Sequence, residues 1–79
     1  MARFFFNLCE DGSWTRDLEG QDLAGIAQVR RLALQRARAI IADDLRTGVR
    51  VKRSSFVAVE DSHGKEVCRI VFGDVLKTS

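Results

Sequence analysis

The chain has one histidine and two cysteines, and no tyrosine. The side chains that most often do acid–base or nucleophilic work are therefore scarce. His63 stands in Asp61-Ser62-His63-Gly64-Lys65, a run of turn formers. A general base needs an oriented partner and a pocket, and a turn histidine normally faces solvent. Cys9 and Cys68 lie near opposite ends of the chain, without metal-ligand spacing or an activating neighbour. They read as reduced thiols that behave as small apolar groups. Asp11, Asp17 and Glu19 form an acidic loop. It lacks the alternation of a calcium loop, and turn formation accounts for it. Gly20 and Gly25 make neither a dinucleotide fingerprint nor a phosphate loop. No metal, cofactor or catalytic residue is expected, and the chain does not read as an enzyme.

Basic residues offer a different chemistry. Net charge is only +2, but it is segregated. Glu10, Asp11, Asp17, Glu19 and Asp22 make the first third acidic. Arg30, Arg31, Arg36, Arg38, Arg46, Arg50, Lys52 and Arg53 make the middle strongly basic. Such a block attracts a polyanion, or an acidic protein surface. Arg31, Arg38, Arg46, Arg50, Lys52 and Arg53 are the candidates for phosphate contacts, with Trp14 and Phe5 available for stacking on bases. No helix-turn-helix, RNA-recognition or zinc-finger signature accompanies them.

These residues sit on a chain of 79 residues, 46% apolar and 30% charged. That length leaves room for one domain, residues 1–79, and the composition excludes a disordered chain. No apolar run approaches the roughly 18 residues of a membrane span. Phe4-Phe5-Phe6 is too short for the core of a signal peptide, so a cytoplasmic protein is expected.

Residues 3–9, Arg-Phe-Phe-Phe-Asn-Leu-Cys, read as a strand. Asp11-Gly12 is a hairpin signal leading to a short strand within 13–17. Leu18 to Asp22 read as a polar loop. From about residue 25 to 47 the apolar positions Ile26, Val29, Ala33, Ala37, Ile40 and Ile41 form one helical stripe, with Gly48 placed to end the helix. Residues 54–61 and 66–72 read as two more strands around a turn at 62–65. The expected fold is α+β, in the order β-β-α-β-β, with a small antiparallel-rich sheet and one long helix packed on one face.

The strands alternate poorly between apolar and polar residues. One parity holds Phe4, Phe6, Leu8, Val57, Val59, Cys68, Ile70 and Phe72. The other holds Phe5, Cys9, Phe56, Ala58, Val67 and Val71. A single helix covers only one face of a sheet, so the second face is expected to need a second surface. A chain this small also buries only about 60% of its unfolded surface, which favours oligomers.

The opening Arg3-Phe4-Phe5-Phe6, then Asp11-Gly12, then Asp17-Leu18-Glu19-Gly20 carry a resemblance. So do the helix ending near Asp43-Asp44-Leu45 and the turn Asp61-Ser62-His63-Gly64 leading to Phe72. Over nearly its whole length the chain resembles the small proteobacterial proteins grouped as domain of unknown function 6894. The resemblance implies a stand-alone bacterial domain, with no catalytic residues to carry over. Asn7 departs from it, since histidine is expected there in many relatives.

The expected function is a non-enzymatic interaction module that forms a homodimer or binds a partner through its sheet, by the second face or a free strand edge. Phe5, Phe56, Val67 and Val71 are the expected interface residues. Nucleic-acid binding through the basic helix and the loop after it is the alternative.

Overall fold

The structure, a computed structural model, describes residues 1–78. Strand β1, Ala2–Glu10, is the longest strand and lies inside the sheet. Asp11 and Gly12 both take positive φ, 52° and 81°. That is the backbone twist of a tight hairpin, and it returns the chain as β2, Ser13–Thr15. Gln21 and Asp22, expected as the end of a loop, instead belong to β3, Gln21–Leu23, which pairs antiparallel with Ala2–Phe4 of β1. Their polarity hid this strand, because both β2 and β3 are short, solvent-facing segments of three residues.

Helix α1 runs Ile26–Thr47, close to the expected span. Gly25 at its start offers no side-chain cap, but Gln28 Oε1 accepts the N–H of Ala24 at 2.8 Å. At its end Gly48 takes φ 80°, and the N–H of Val49 reaches Asp44 O at 2.8 Å. Val29, Ala33, Ala37 and Ile41 are its buried residues, one every fourth position. The two alanines are fully buried, which lets the helix axis lie close to the sheet. Ile26, at the first helical position, is 46% exposed and falls outside the expected stripe.

Strands β4, Phe56–Glu60, and β5, Glu66–Val71, follow as an antiparallel hairpin, giving the order β2-β1-β4-β5 with β3 beside β1. The chain then forms a short helix α2, Phe72–Thr78, where the sequence reading had continued the strand to Phe72. Phe72 is fully buried, so its apolar character served the core in either conformation. The helix-facing parity is as expected. Phe4, Phe6, Val57, Val59 and Phe72 are buried in one cluster with the α1 stripe, and Leu8, Cys68 and Ile70 pack against it.

Asp17 and Gly20 fix the stretch between β2 and β3. Phe6 N–H points away from β4, and Asp17 Oδ2 accepts it at 3.0 Å. Asp17 Oδ1 accepts the N–H groups of Glu19 and Gly20, and Asp17 N–H donates to Oδ1 of the buried Asn7 at 2.9 Å. Gly20 sits at φ 74°. A Cβ there would lie 2.8 Å from the Phe5 ring and 3.0 Å from Phe4 O. Gly12 has a similar φ of 81° but open space around it. Gly12→Ala therefore carries only the left-handed cost of about 1–2 kcal/mol, whereas Gly20→Ala adds a steric clash to the same cost. Thermal unfolding of the two variants is expected to show clearly the larger loss of Tm for Gly20→Ala.

Candidate functional site

The four expected interface residues are not brought together. Phe56 and Val71 are cross-strand neighbours on the face away from α1, in a row with Cys9 and Trp14. Phe5 lies on the same face, opposite Glu60 and against Gly20. Val67 departs from its expected parity. The register shifts between Val59, opposite Cys68, and Glu60, opposite Glu66, so Val67 is the extra residue of a bulge. It packs against the buried core instead of facing outward.

The second face is partly clad by the chain itself. Asn7, Cys9 and Ala58 are buried, while Phe5, Phe56 and Val71 are half-buried. The Trp14 ring meets Phe56 edge-on at 5.5 Å, and the Arg69 guanidinium lies 3.9 Å above the Phe56 ring. Arg16 stacks 4.5 Å above Trp14. Long arginine stems and an aromatic edge thus cover surface that the alternation pattern assigned to another molecule.

The basic residues point in several directions. Arg46 pairs with Asp43, and Arg53 donates to Gly73 O at 3.3 Å. Arg36 lies over Phe6 and donates to Gln21 Oε1. Arg30, Arg31, Arg38, Arg50 and Lys52 are exposed, and among the described residues no ion pair engages them.

His63 is exposed, and its backbone N–H is tied to Asp61 Oδ1 at 2.9 Å. Lys65 N–H donates to the same carboxylate, and these bonds hold Asp61 below the usual carboxylate range. Asp61 thereby organises the hairpin turn. Burial pushes the Cys68 thiol up, against the pull of nearby Arg30, which keeps it protonated at neutral pH. Both cysteines are free, and no cluster able to hold a metal occurs among the described residues.

What the fold does assemble is a groove along the outer edge of β5. Phe72 N–H donates to Ser55 O at 2.8 Å. In an antiparallel ladder such bonded pairs alternate, so Ile70 and Cys68 also bond to β4. The main-chain groups of Arg69 and Val71 then point outward, and among the described residues no strand lies beyond β5. On the α1 side, Arg30, Leu34, Glu66, Val67, Cys68, Arg69 and Ile70 line a hollow of about 560 Å³. A second hollow, about 230 Å³, continues it past Leu34, Arg69 and Ile70 to Arg38, Val71 and Asp74. Glu66 is already engaged, accepting two bonds from Arg69 at 2.7 and 3.0 Å. The i, i+4, i+8 spacing of Arg30, Leu34 and Arg38 was visible in the sequence, but only the strand order makes it the wall of a groove.

Two carboxylates elsewhere respond oppositely to pH. Burial, and then the like charge of Asp44, push Glu10 above its ordinary value. Asp44 Oδ2 is shut off from water with no donor, which a protonated Glu10 would supply. A raised carboxyl stabilises the fold when protonated, and that contribution fades as pH rises through the folded value, above about 4.3. For Asp17, burial pushes upward but the N–H groups of Phe6, Gly20 and Glu19, with Arg36 nearby, outweigh it and hold the group low. Its contribution is present above about pH 3.9 and is lost as pH falls through the lower folded value. Urea unfolding is expected to show Asp44→Asn more stable than wild type near pH 7 and Asp17→Asn less stable. Both differences should shrink toward about pH 3.

No helix of the described chain is long and apolar enough to cross a membrane. No curated protein and no solved structure matches the sequence. A family model does match residues 3–73, which takes in the Asp17–Gly20 clasp, α1 and the whole β4–β5 hairpin, and the chain belongs to the family described as domain of unknown function (DUF6894).

Proposed function

We propose that the protein is a non-enzymatic, cytoplasmic interaction module that takes up an extended strand of a partner protein along β5. The observation that carries this reading is the unpaired edge of β5. Unpaired N–H and C=O groups in a row are a template for another strand, and proteins that do not use such an edge blunt it. The other side of the sheet is blunted, by two short strands and the Asp17 carboxylate. On β5 the regular edge runs over residues 68–71, beyond the bulge at Val67, and lies beside a partly apolar hollow. Two unpaired cysteines fit a reducing compartment.

Selection from a random peptide library displayed on phage tests the reading. Arg69→Pro removes an outward N–H, and Arg69→Ala removes the same side chain but keeps it. Peptides selected on the wild type should stay bound to Arg69→Ala and be lost from Arg69→Pro, with both variants folded by circular dichroism. Equal retention by the two variants, or no selected peptide, would remove strand addition.

A second reading, polyanion binding, is favoured by the unpaired charges of Arg31, Arg38, Arg50 and Lys52. It predicts binding of mixed-sequence DNA or RNA at roughly 50 mM salt, weakening steeply as salt rises. Arg31→Glu with Arg50→Glu should abolish it. Retention by the wild type that is indifferent to salt would count against this reading.

A further inference from the structure

We infer that the strand taken up by β5 belongs to a different protein and presents toward α1 an acidic residue, then an apolar one, then another acidic one at alternate positions. The inference rests on the strand-addition reading and specifies its ligand.

Arg30, Leu34 and Arg38 form one stripe of α1. Arg30 shares a hollow with Glu66, Val67 and Cys68, and Arg38 shares its continuation with Val71 and Asp74. Along the groove, helix and strand therefore advance in the same direction. Eight helical residues rise about 12 Å. Five consecutive strand residues, with the first, third and fifth on one face, span about 13 Å. A strand laid against β5 thus places its first and fifth side chains beside the two guanidiniums. The third meets Leu34 and Ile70. The pattern reads the same in both directions, so it holds for parallel and antiparallel pairing.

Charge decides which strand fits. Neither Arg30 nor Arg38 has a carboxylate partner among the described residues, and Glu66 is held by Arg69. A second copy of this chain does not supply what is missing. Pairing β5 with itself about a two-fold axis keeps each helix on the same face and sets the arginine stripe against its own duplicate. Of the β5 side chains along the groove, Val67, Cys68 and Ile70 are uncharged, and the carboxylate of Glu66 is already held by Arg69 of its own strand.

Two synthetic peptides test the inference, Thr-Glu-Thr-Val-Thr-Glu-Thr and its counterpart with lysine in place of glutamate. Binding to the full chain is followed by fluorescence anisotropy at roughly 50 mM salt. The acidic peptide is expected to bind about tenfold more tightly, since two exposed ion pairs replace two repulsions. Arg30→Glu with Arg38→Glu should reverse the preference, with helicity unchanged because both side chains are exposed. N-methylation of alternate peptide residues should abolish binding. Equal affinity for both peptides, or failure of the double variant to reverse the order, overturns the charge pattern while leaving strand addition standing. Binding unaffected by N-methylation overturns strand addition itself. A dimer in sedimentation that Arg69→Pro dissociates would give the groove to a second copy and overturn the inference. Absence of binding by either peptide at about 1 mM overturns it as well.

Discussion

Every strand carries hydrogen-bonding groups on both of its edges, and a sheet must settle what becomes of the outermost ones. In this protein the two sides of the sheet meet that demand differently. Beyond β1, two three-residue strands take the ends, and the carboxylate of Asp17 accepts the N–H of Phe6 between them. Beyond β5 no further strand pairs among the described residues. The lone long helix lies over the core and shapes the open side with Arg30, Leu34 and Arg38. The proposed docking of a partner strand follows from this asymmetry.

The same economy explains the face away from α1. Apolar residues on both parities of the strands suggested a surface that only another molecule would cover. The chain supplies part of that cover with Trp14, Arg16 and Arg69, whose aromatic edge and stacked guanidiniums lie over Phe56 and Trp14. Arginine can do this because its stem is hydrocarbon and its planar head tolerates an aromatic neighbour while remaining hydrated. Composition counts such a residue as charged and exposed, so its covering role does not register in an alternation pattern.

The residues that carry the family resemblance are largely structural here. Asp17 clasps β1 and closes its own loop, Gly20 lets the backbone pass beside Phe5, and Asp61 ties the β4–β5 turn. Asn7, in the position where the resemblance leads one to expect histidine, is buried and accepts the N–H of Asp17. Its short amide fills the acceptor role between β1 and the loop.

By itself the sequence determined α1, the β1–β2 hairpin and the composition of the core. Those features are local: the four-residue spacing from Val29 to Ile41, the left-handed turn at Asp11-Gly12, and the apolar parity through Phe4, Phe6, Val57 and Val59. Short polar β3 and the switch from strand to helix at Phe72 were not legible, because pairing with β1 and burial against α1 override weak local preference. The bulge that turned Val67 inward depends on a partner strand, and no single-strand pattern contains it. Which strand ends the sheet is likewise a matter of order among distant segments. Only the tertiary structure decided that β5 is that strand and that two helix arginines overlook it, since main-chain groups become free or paired through neighbours remote along the chain.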